Sequence, residues 1–599
     1  MDAAQPLVEI CDLHHTYEGN GTGPISALRG VDLALRPGTL VAVVGANGSG
    51  KTTLARHLNA LLLPTQGRVR VAGLDTRDRA AWPTIRSQVA MVFQQPEDQI
   101  VATMVEDDVA FGPENLGLAA EEIEGRVRWA LETVGIWDLR HRPPYLLSAG
   151  QQQRVAIAGA LAMRPRCLVV DEATAMLDPA GRREVLALLR RLHAEGMAIV
   201  LITHWMSEAT LAERVVALAE GCVAFDGSTR CLFADPDRLA SLGLEPPPLA
   251  ALAEQLARRW PGFPPGLLTL DEVTEAIATR LPRLGSLPAP TPCCSLAPRP
   301  LGSNCPFVTI RDLHHTYLAG TPLAVVALDG VSLEVHAGEV VALLGPTGSG
   351  KSTLLQHIAG LLAPQAGQVL VAGRDVSVPQ TDRRFLREQV GMLFQRLEEQ
   401  LFETYVGDDV AFGPRQLGLD RETVRERVRW AMETMGLPFL AYKDRFIQSL
   451  SGGERRKAAL AGVLALRPRV LLLDEPTAGL DPQTRRDLLA TLHRLNRQEG
   501  VTLVIATHNM DDVTAIAGRV YVLEGGRVAL RGPTRSVFSQ AERLWALGLD
   551  VPAAVSVMAA LRDRGLPMPL DVLTLDEAEA AILSCLPSSP GREGKGERM

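Results

Sequence analysis

No stretch of this sequence stays apolar for long. Runs such as MAIVLI at 197–202 and VLLL at 470–473 fall far short of the roughly 18–20 residues that cross a bilayer. They read as buried strands. A long basic run is also missing, and the net charge is −8. Nucleic acid is therefore not expected as a main partner. The opening MDAAQPLVEI has neither a basic stretch nor an apolar h-region, so no secretory leader is expected and the chain is expected to stay in the cytosol. No Cys-x-x-Cys occurs. The eight cysteines, Cys11, Cys167, Cys222, Cys231, Cys293, Cys294, Cys305 and Cys585, are scattered as reduced thiols would be, without the spacing of a disulfide frame.

What is present is ordinary for a soluble globular protein, 46% apolar and 22% charged, but 599 residues exceed one ordinary domain. The pentapeptide LHHTY stands at 13–17 and again at 313–317. Paired histidines suggest a metal site; alternatively, the surrounding unit is duplicated. Duplication requires further pairs at nearly the same offset, and they exist. VAVVGANGSGKTTL at 41–54 matches VALLGPTGSGKSTL at 341–354. VEDDVAFGPENLGL at 105–118 matches VGDDVAFGPRQLGL at 406–419. LSAGQQQR at 147–154 matches LSGGERRK at 450–457, and LVVDEATAMLDP at 168–179 matches LLLDEPTAGLDP at 471–482. LTLDE recurs at 268–272 and 573–577. A domain-sized period means duplication and excludes a solenoid.

Each unit reads as apolar strand, glycine loop, helix, then further strands and helices, the pattern of an α/β domain with parallel strands. The expected boundaries are a first domain at 1–244, a helical appendix at 245–282, a Pro-rich linker at 283–305, a second domain at 306–549, its appendix at 550–586 and a disordered tail at 587–599.

GANGSGKT and GPTGSGKS both satisfy G-x-x-x-x-G-K-[ST] between a strand and a helix, the context a phosphate-binding loop requires. Gly45, Gly48 and Gly50, with Asn47, and likewise Gly345, Gly348 and Gly350, let backbone N–H groups converge on phosphates at a helix N-terminus. Lys51 and Lys351 reach β- and γ-phosphates, Thr52 and Ser352 ligate Mg²⁺, and Thr53 and Thr353 complete the loop. LVVDE and LLLDE are strands ending in two carboxylates. Asp171 and Asp474 suit Mg²⁺; Glu172 and Glu475 suit the general base that orients water. His204 and His508 end another strand pair and fit a γ-phosphate contact, although a lone strand-end histidine is usually a capped or satisfied one. Gln94 and Gln395 also follow apolar strands; taken alone they read as surface glutamines.

Together these motifs resemble the ATP-binding cassette (ABC) ATPases over nearly all of both units. The signature LSAGQ at 147–151 and LSGGE at 450–454, lying before the DE strand, is the decisive element. The resemblance implies two tandem ABC ATPase domains, each a P-loop core with a helical signature subdomain, binding ATP and Mg²⁺. It makes Tyr17 and Tyr317 the aromatics that stack on adenine, so that LHHTY belongs to the adenine site and not to a metal. Gln94 and Gln395 become Q-loop residues, and Asp178 and Asp481 D-loop residues. The family's head-to-tail pairing places Ser451, Gly452 and Gly453 opposite Lys51, and Ser148, Ala149 and Gly150 opposite Lys351, here within one chain. Ala149 replaces the signature's second glycine, and Ala173 and Ala175–Met176 depart from the second copy, so the site at Lys351 is expected to be the slower one.

Within the family, FQQPEDQIVATMVEDDVAFGPENLGL at 93–118, its counterpart at 394–419 and the LTLDE tails resemble energy-coupling factor (ECF) and cobalt/nickel-uptake ATPases. That implies a peripheral protein on the cytoplasmic face of the cell membrane. Its partners would be a transmembrane coupling subunit and a substrate-binding membrane subunit, importing a vitamin or a transition-metal ion. Glu97, Asp98, Glu398 and Glu399 would meet arginines of a coupling helix, or else form a solvated acidic loop. A soluble tandem ABC ATPase acting on ribosomes or nucleic acid is the alternative, but the short, nearly uncharged linker and the lack of a basic patch disfavour it. A sugar importer's tandem ATPase would differ in the 93–118 pattern.

Overall fold

The computed structural model describes residues 5–18, 23–175, 177–281, 306–321, 323–376, 378 and 383–586. The linker at 283–305, the tail at 587–599, Met176 and the cysteines Cys293, Cys294 and Cys305 lie outside the described residues, as does the side chain of Glu398.

Each half contains two sheets. In the first half a six-stranded sheet has the order β10 (Cys222–Ser228), β9 (Arg214–Ala219), β3 (Leu40–Val44), β8 (Ala198–Ile202), β7 (Cys167–Asp171), β6 (Val89–Val92). A four-stranded sheet has the order β2 (Ile25–Leu35), β1 (Val8–Tyr17), β4 (Gln66–Val71), β5 (Leu74–Asp75). The second half repeats both, with β11 (Val308–Tyr317) and β12 (Val325–Val335) as the counterparts of β1 and β2, and β13 (Val340–Leu344) at the centre of its large sheet.

The expected parallel pairing holds for β9, β3, β8, β7 and β6. The small sheet is antiparallel throughout, and β10 joins the large sheet antiparallel to β9. Chain length explains the difference. Helices separate the parallel strands, whereas β1–β2 and β9–β10 follow each other too closely for a crossover.

β3, LVAVV, is buried along its whole length. Its alternate residues serve two cores: Leu40, Ala42 and Val44 face the helical layer, while Val41 and Val43 pack with Leu54 and Leu58 of the helix Lys51–Leu58 under the small sheet. Three layers therefore clamp the glycine loop that leaves β3. Because β3, β8 and β7 are parallel neighbours, their carboxyl ends lie along one edge, where an open α/β sheet holds its ligands.

The two helical appendices form one shared core rather than two separate ones. Leu252, Leu256, Trp260 and Ile277 of the first are buried together with Val557, Met558, Leu561 and Ile582 of the second. Gln255 donates to Asp576 at 3.0 Å, and Arg259 pairs with Glu579 at 3.3 Å. The LTLDE motif caps this module. Thr269 N-caps the helix Leu270–Ala278 in a capping box with Glu272, and Thr574 N-caps Leu575–Ser584. Arg230 and Arg535, from the preceding domains, pair with Glu272 and Glu577.

Candidate functional site

In both halves the glycine loop between strand and helix leaves no room for a side chain at its first and last glycines. Gly45 and Gly50 have φ of 151° and 102°. A Cβ on Gly45 would stand 2.4 Å from the Leu218 carbonyl oxygen, and one on Gly50 would stand 2.7 Å from that of Ala27. The second copy is equally tight, with Gly350 at 2.4 Å from Ala327 O. Only glycine fits. The helices Lys51–Leu58 and Lys351–Ile358 begin with no side-chain cap, so their first-turn N–H groups and positive dipole end are left for an anion. Lys51 Nζ folds back to donate to Gly45 O at 2.9 Å and Ala46 O at 3.0 Å, and Lys351 repeats this on Gly345 and Pro346 at 2.7 and 2.9 Å. Burial holds both ammonium groups below the usual lysine range, although carboxylates around each favour the charge.

The DE strands deliver two carboxylates beside each lysine. Thr52 Oγ1 donates to Asp171 Oδ1 at 3.3 Å. Burial pushes Asp171 and Asp474 up to about 6. A buried carboxylate beside a hydroxyl suits a hard cation that takes oxygen ligands. Thr52 with Asp171, and Ser352 with Asp474, therefore fit Mg²⁺. Glu172 and Glu475 adopt φ of 48° and 47°, the left-handed region that non-glycine residues rarely occupy. The next strand holds each turn: Glu172 N donates to Ile202 O at 3.0 Å and Glu475 N to Ala506 O at 2.9 Å. Asp12 with Asp312, Ala72 with Ala372, and Arg164 with Arg467 share this conformation in both copies, so what singles out the two glutamates is their place at the end of the DE strand near each lysine.

The carboxylates are held differently in the two halves. Glu475 Oε1 lies 2.8 Å from His508 Nδ1. Glu172 Oε2 lies 3.6 Å from His204 Nδ1 and accepts instead from Gln94 Nε2 at 3.0 Å. Burial pushes Glu172 up, but His204 and Lys51 outweigh it and leave it below the ordinary glutamate range.

Contacts cross between the halves at the D-loops. Asp178 caps the helix Pro179–Ala194, accepting from Gly181 N at 2.8 Å, and also accepts from Thr347 N in the other half's glycine loop at 2.9 Å. Asp481 accepts from Thr484 N at 2.9 Å and from Asn47 Nδ2 across the halves at 3.3 Å. A cleft of about 700 Å³ brings Thr347, Lys351, Ser352 and Glu475 of the second half against Ala149 and Gln152 of the first. Tyr317, Gln395 and His508 also line it. Gly452, assigned by the family pattern to the opposite site, borders this same cleft, which continues between the halves. Ser148 and Ser451 cap the signature helices in capping boxes with Gln151 and Glu454. The acidic loop is partly engaged already: Glu97 pairs with Arg396 of the other half.

Some residues here were not singled out from the sequence. Arg456 donates to the backbone carbonyl of Glu475, and Gln153 is its buried counterpart. The Ser-x-x-Gln/Glu spacing of the signature could have announced the capping boxes. Nothing local announces Arg456.

A family model described as ABC transporter matches residues 28–175 and 328–478. A putative ABC transporter ATP-binding protein of Methanosarcina acetivorans is 37% identical over 94% of this chain and 92% of its own length. Two energy-coupling factor transporter ATP-binding proteins of Symbiobacterium thermophilum also match. EcfA1 is 58% identical over 43% of this chain and 91% of its own length, and EcfA2 is 50% identical over 48% and 98%.

Proposed function

Since the chain belongs to the ABC transporter family and is an ATPase of that family, we propose that it is the energy-coupling subunit of a multi-subunit importer, driving uptake of a vitamin or transition-metal ion through separate membrane subunits. The observation that carries this reading is the pair of energy-coupling relatives. Each matches about half of this chain over nearly its own full length, as a one-cassette counterpart would.

ATP binds with its phosphates on the glycine-loop amides and Lys51 or Lys351. Tyr17 or Tyr317 stacks on adenine. Thr52 with Asp171, or Ser352 with Asp474, would hold Mg²⁺, which would supply positive charge against the phosphates. Glu172 and Glu475 orient the attacking water, with Gln94 and Gln395 beside them and His204 and His508 toward the γ-phosphate. Asp178 and Asp481 tie each glycine loop to the opposite half, so loss of the γ-phosphate loosens a contact shared by both halves.

No helix among the described residues is long and apolar enough to cross a membrane, so transport requires membrane partners. Between the Q-loop and the signature of each half, large apolar side chains are exposed: Val101, Phe111 and Tyr145 in the first half, Phe402, Phe412 and Phe446 in the second. The Phe402 and Phe412 rings pair at 4.7 Å. The exposed aromatic pair of the second half suits a short helix of a membrane subunit.

Gentle solubilisation of native membranes and pull-down through a C-terminal tag tests this. Stoichiometric recovery of a polytopic membrane protein is expected, with a smaller second membrane protein carrying the cargo. Recovery mainly with ribosomes, or alone, would favour the soluble tandem class instead.

A further inference from the structure

The LHHTY repeat places two adjacent histidines on opposite faces of a strand, since successive side chains alternate. His14 turns outward, 3.0 Å from Asp12, and His314 lies 3.3 Å from both Asp312 and Asp329. His15 turns inward with Tyr17. The helix leaving the glycine loop presents Thr53 and His57 four residues apart, hence on one face. The two faces interlock. The His15 ring stands edge-on to Tyr17 at 4.7 Å and to His57 at 4.8 Å. Tyr17 Oη lies 3.2 Å from Thr53 Oγ1, and His57 Nδ1 lies 2.7 Å from Thr53 O. The second half repeats the ring contacts and the tyrosine bond, though not the histidine's bond to the helix backbone: His315 is 4.6 Å from Tyr317 and 4.9 Å from His357, and Tyr317 Oη is 3.2 Å from Thr353 Oγ1. His57 and His357 are fully buried, while Tyr17 and Tyr317 remain 38% and 39% exposed.

We propose that His15 with His57, and His315 with His357, are positioning residues that hold the Tyr17 and Tyr317 rings as rigid adenine platforms fixed to the phosphate-binding helix. The inference rests on the reading of those tyrosines as adenine-stacking groups. A half-exposed ring gains rigidity only from its edges and its hydroxyl, and here both lead to one helix, the helix that begins with Lys51 or Lys351. Stacking on adenine then costs no ordering of the ring, and base and phosphates are held in fixed relation. Edge-to-face aromatic contacts supply this directionally.

The test is steady-state ATP hydrolysis by the full chain carrying His15→Ala with His315→Ala. Freezing a ring that is otherwise mobile accounts for about a three- to ten-fold rise in KM for ATP with kcat kept. Inhibition by inorganic triphosphate, which lacks the base, stays constant. Phe in place of Ala restores KM, because it keeps the ring edge. His14→Ala with His314→Ala changes nothing. In a Tyr17→Ala, Tyr317→Ala background, the His15 and His315 changes add no further rise. If the tyrosine pair raises KM and the histidine pair does not, or if their effects simply add, the ladder is overturned and the platform reading stands. If the tyrosine pair itself leaves KM unchanged, both fall. Should the alanine pair not fold, His15→Leu with His315→Leu fills the space without an aromatic edge and decides the same question.

Discussion

Substituting Gly452→Ala, with Ala149→Gly as its reciprocal, isolates one of the two signature differences between the halves, the other being Gln151 against Glu454. A Cβ added at Gly452 meets no protein atom within 4 Å. The change therefore brings no overpacking inside the protein. It also places Ala at the first position of the helix Gly452–Leu464, where Ala is favoured over Gly by up to about 1 kcal/mol. Folding stability should hold or rise slightly. The new methyl can crowd only what enters the cleft. Ala149 already lines the cleft that holds Lys351. Pressing one methyl group into a closely packed contact costs about 1–3 kcal/mol. At 1.4 kcal/mol per factor of ten, that slows the affected site roughly 5- to 150-fold.

The assay is steady-state ATPase activity of the wild type, each single variant and the double exchange, with melting temperature as the control for folding. Ala149→Gly should raise turnover, and Gly452→Ala should lower it. An unchanged rate for Ala149→Gly at unchanged melting temperature would show that this methyl does not meet the nucleotide. The ranking of the sites has its own test. Glu172→Gln should damage turnover more than Glu475→Gln, and the reverse order would refute the reasoning.

Asp178→Ala removes a helix cap together with a contact between the halves, and should cost about 1–2 kcal/mol of stability in denaturant titration as well as lowering ATPase activity. His357 is held down to about 4, first by burial and then by His315. Its folded value is below its unfolded value, so its contribution is complete above pH about 6.5 and is lost as pH falls toward about 4. His357→Leu should flatten the pH dependence of unfolding in that window; an unchanged slope would show that His357 does not generate it. Burial pushes the Cys167 thiol up to about 12, whereas Cys11, Cys222 and Cys231 are exposed. Iodoacetamide at neutral pH should label the exposed three and reach Cys167 only after denaturation, as read by peptide mass spectrometry.

The features legible in the sequence are those written in continuous residues. The phosphate loops, DE strands and signature each lie within a few positions, and the repeat offset lets one copy check the other. LTLDE was legible as a marker but not as a device; its capping box and the ion pair to Arg230 or Arg535 explain why it recurs. Features that depend on chain segments meeting were not legible. The Asp178–Thr347 bond joins residues 169 positions apart, and no local pattern encodes it. The two appendices each read as a separate short helical segment, whereas their buried side chains pack in one core. The antiparallel small sheet was hidden because a strand's sequence does not state the direction of its neighbour.

The duplicated halves also diverge at places their shared motifs do not mark. After His204 the first half has Trp205, and after His508 the second has Asn509. Arg485 donates to Asn509 at 2.9 Å and to Asp512 at 2.6 Å. Its counterpart Arg182 has no amide acceptor at that position; it stacks on Trp205 at 4.3 Å and lies 3.6 Å from Glu208. Arg485 also stands 6.0 Å from Trp205, across the halves. One arginine is therefore fixed by charge-assisted hydrogen bonds, the other by an aromatic face. The histidines beside them differ in the same sense: His508 holds its glutamate at 2.8 Å, while His204 stands 3.6 Å from its own. Fusion into one chain allows such divergence, because a half that always meets the same partner is free to specialise. Unequal hydrogen bonding behind the glutamates should therefore add to the inequality that the Ala149 methyl brings to the signature, so that the two sites differ in rate even though both keep their glutamate and histidine.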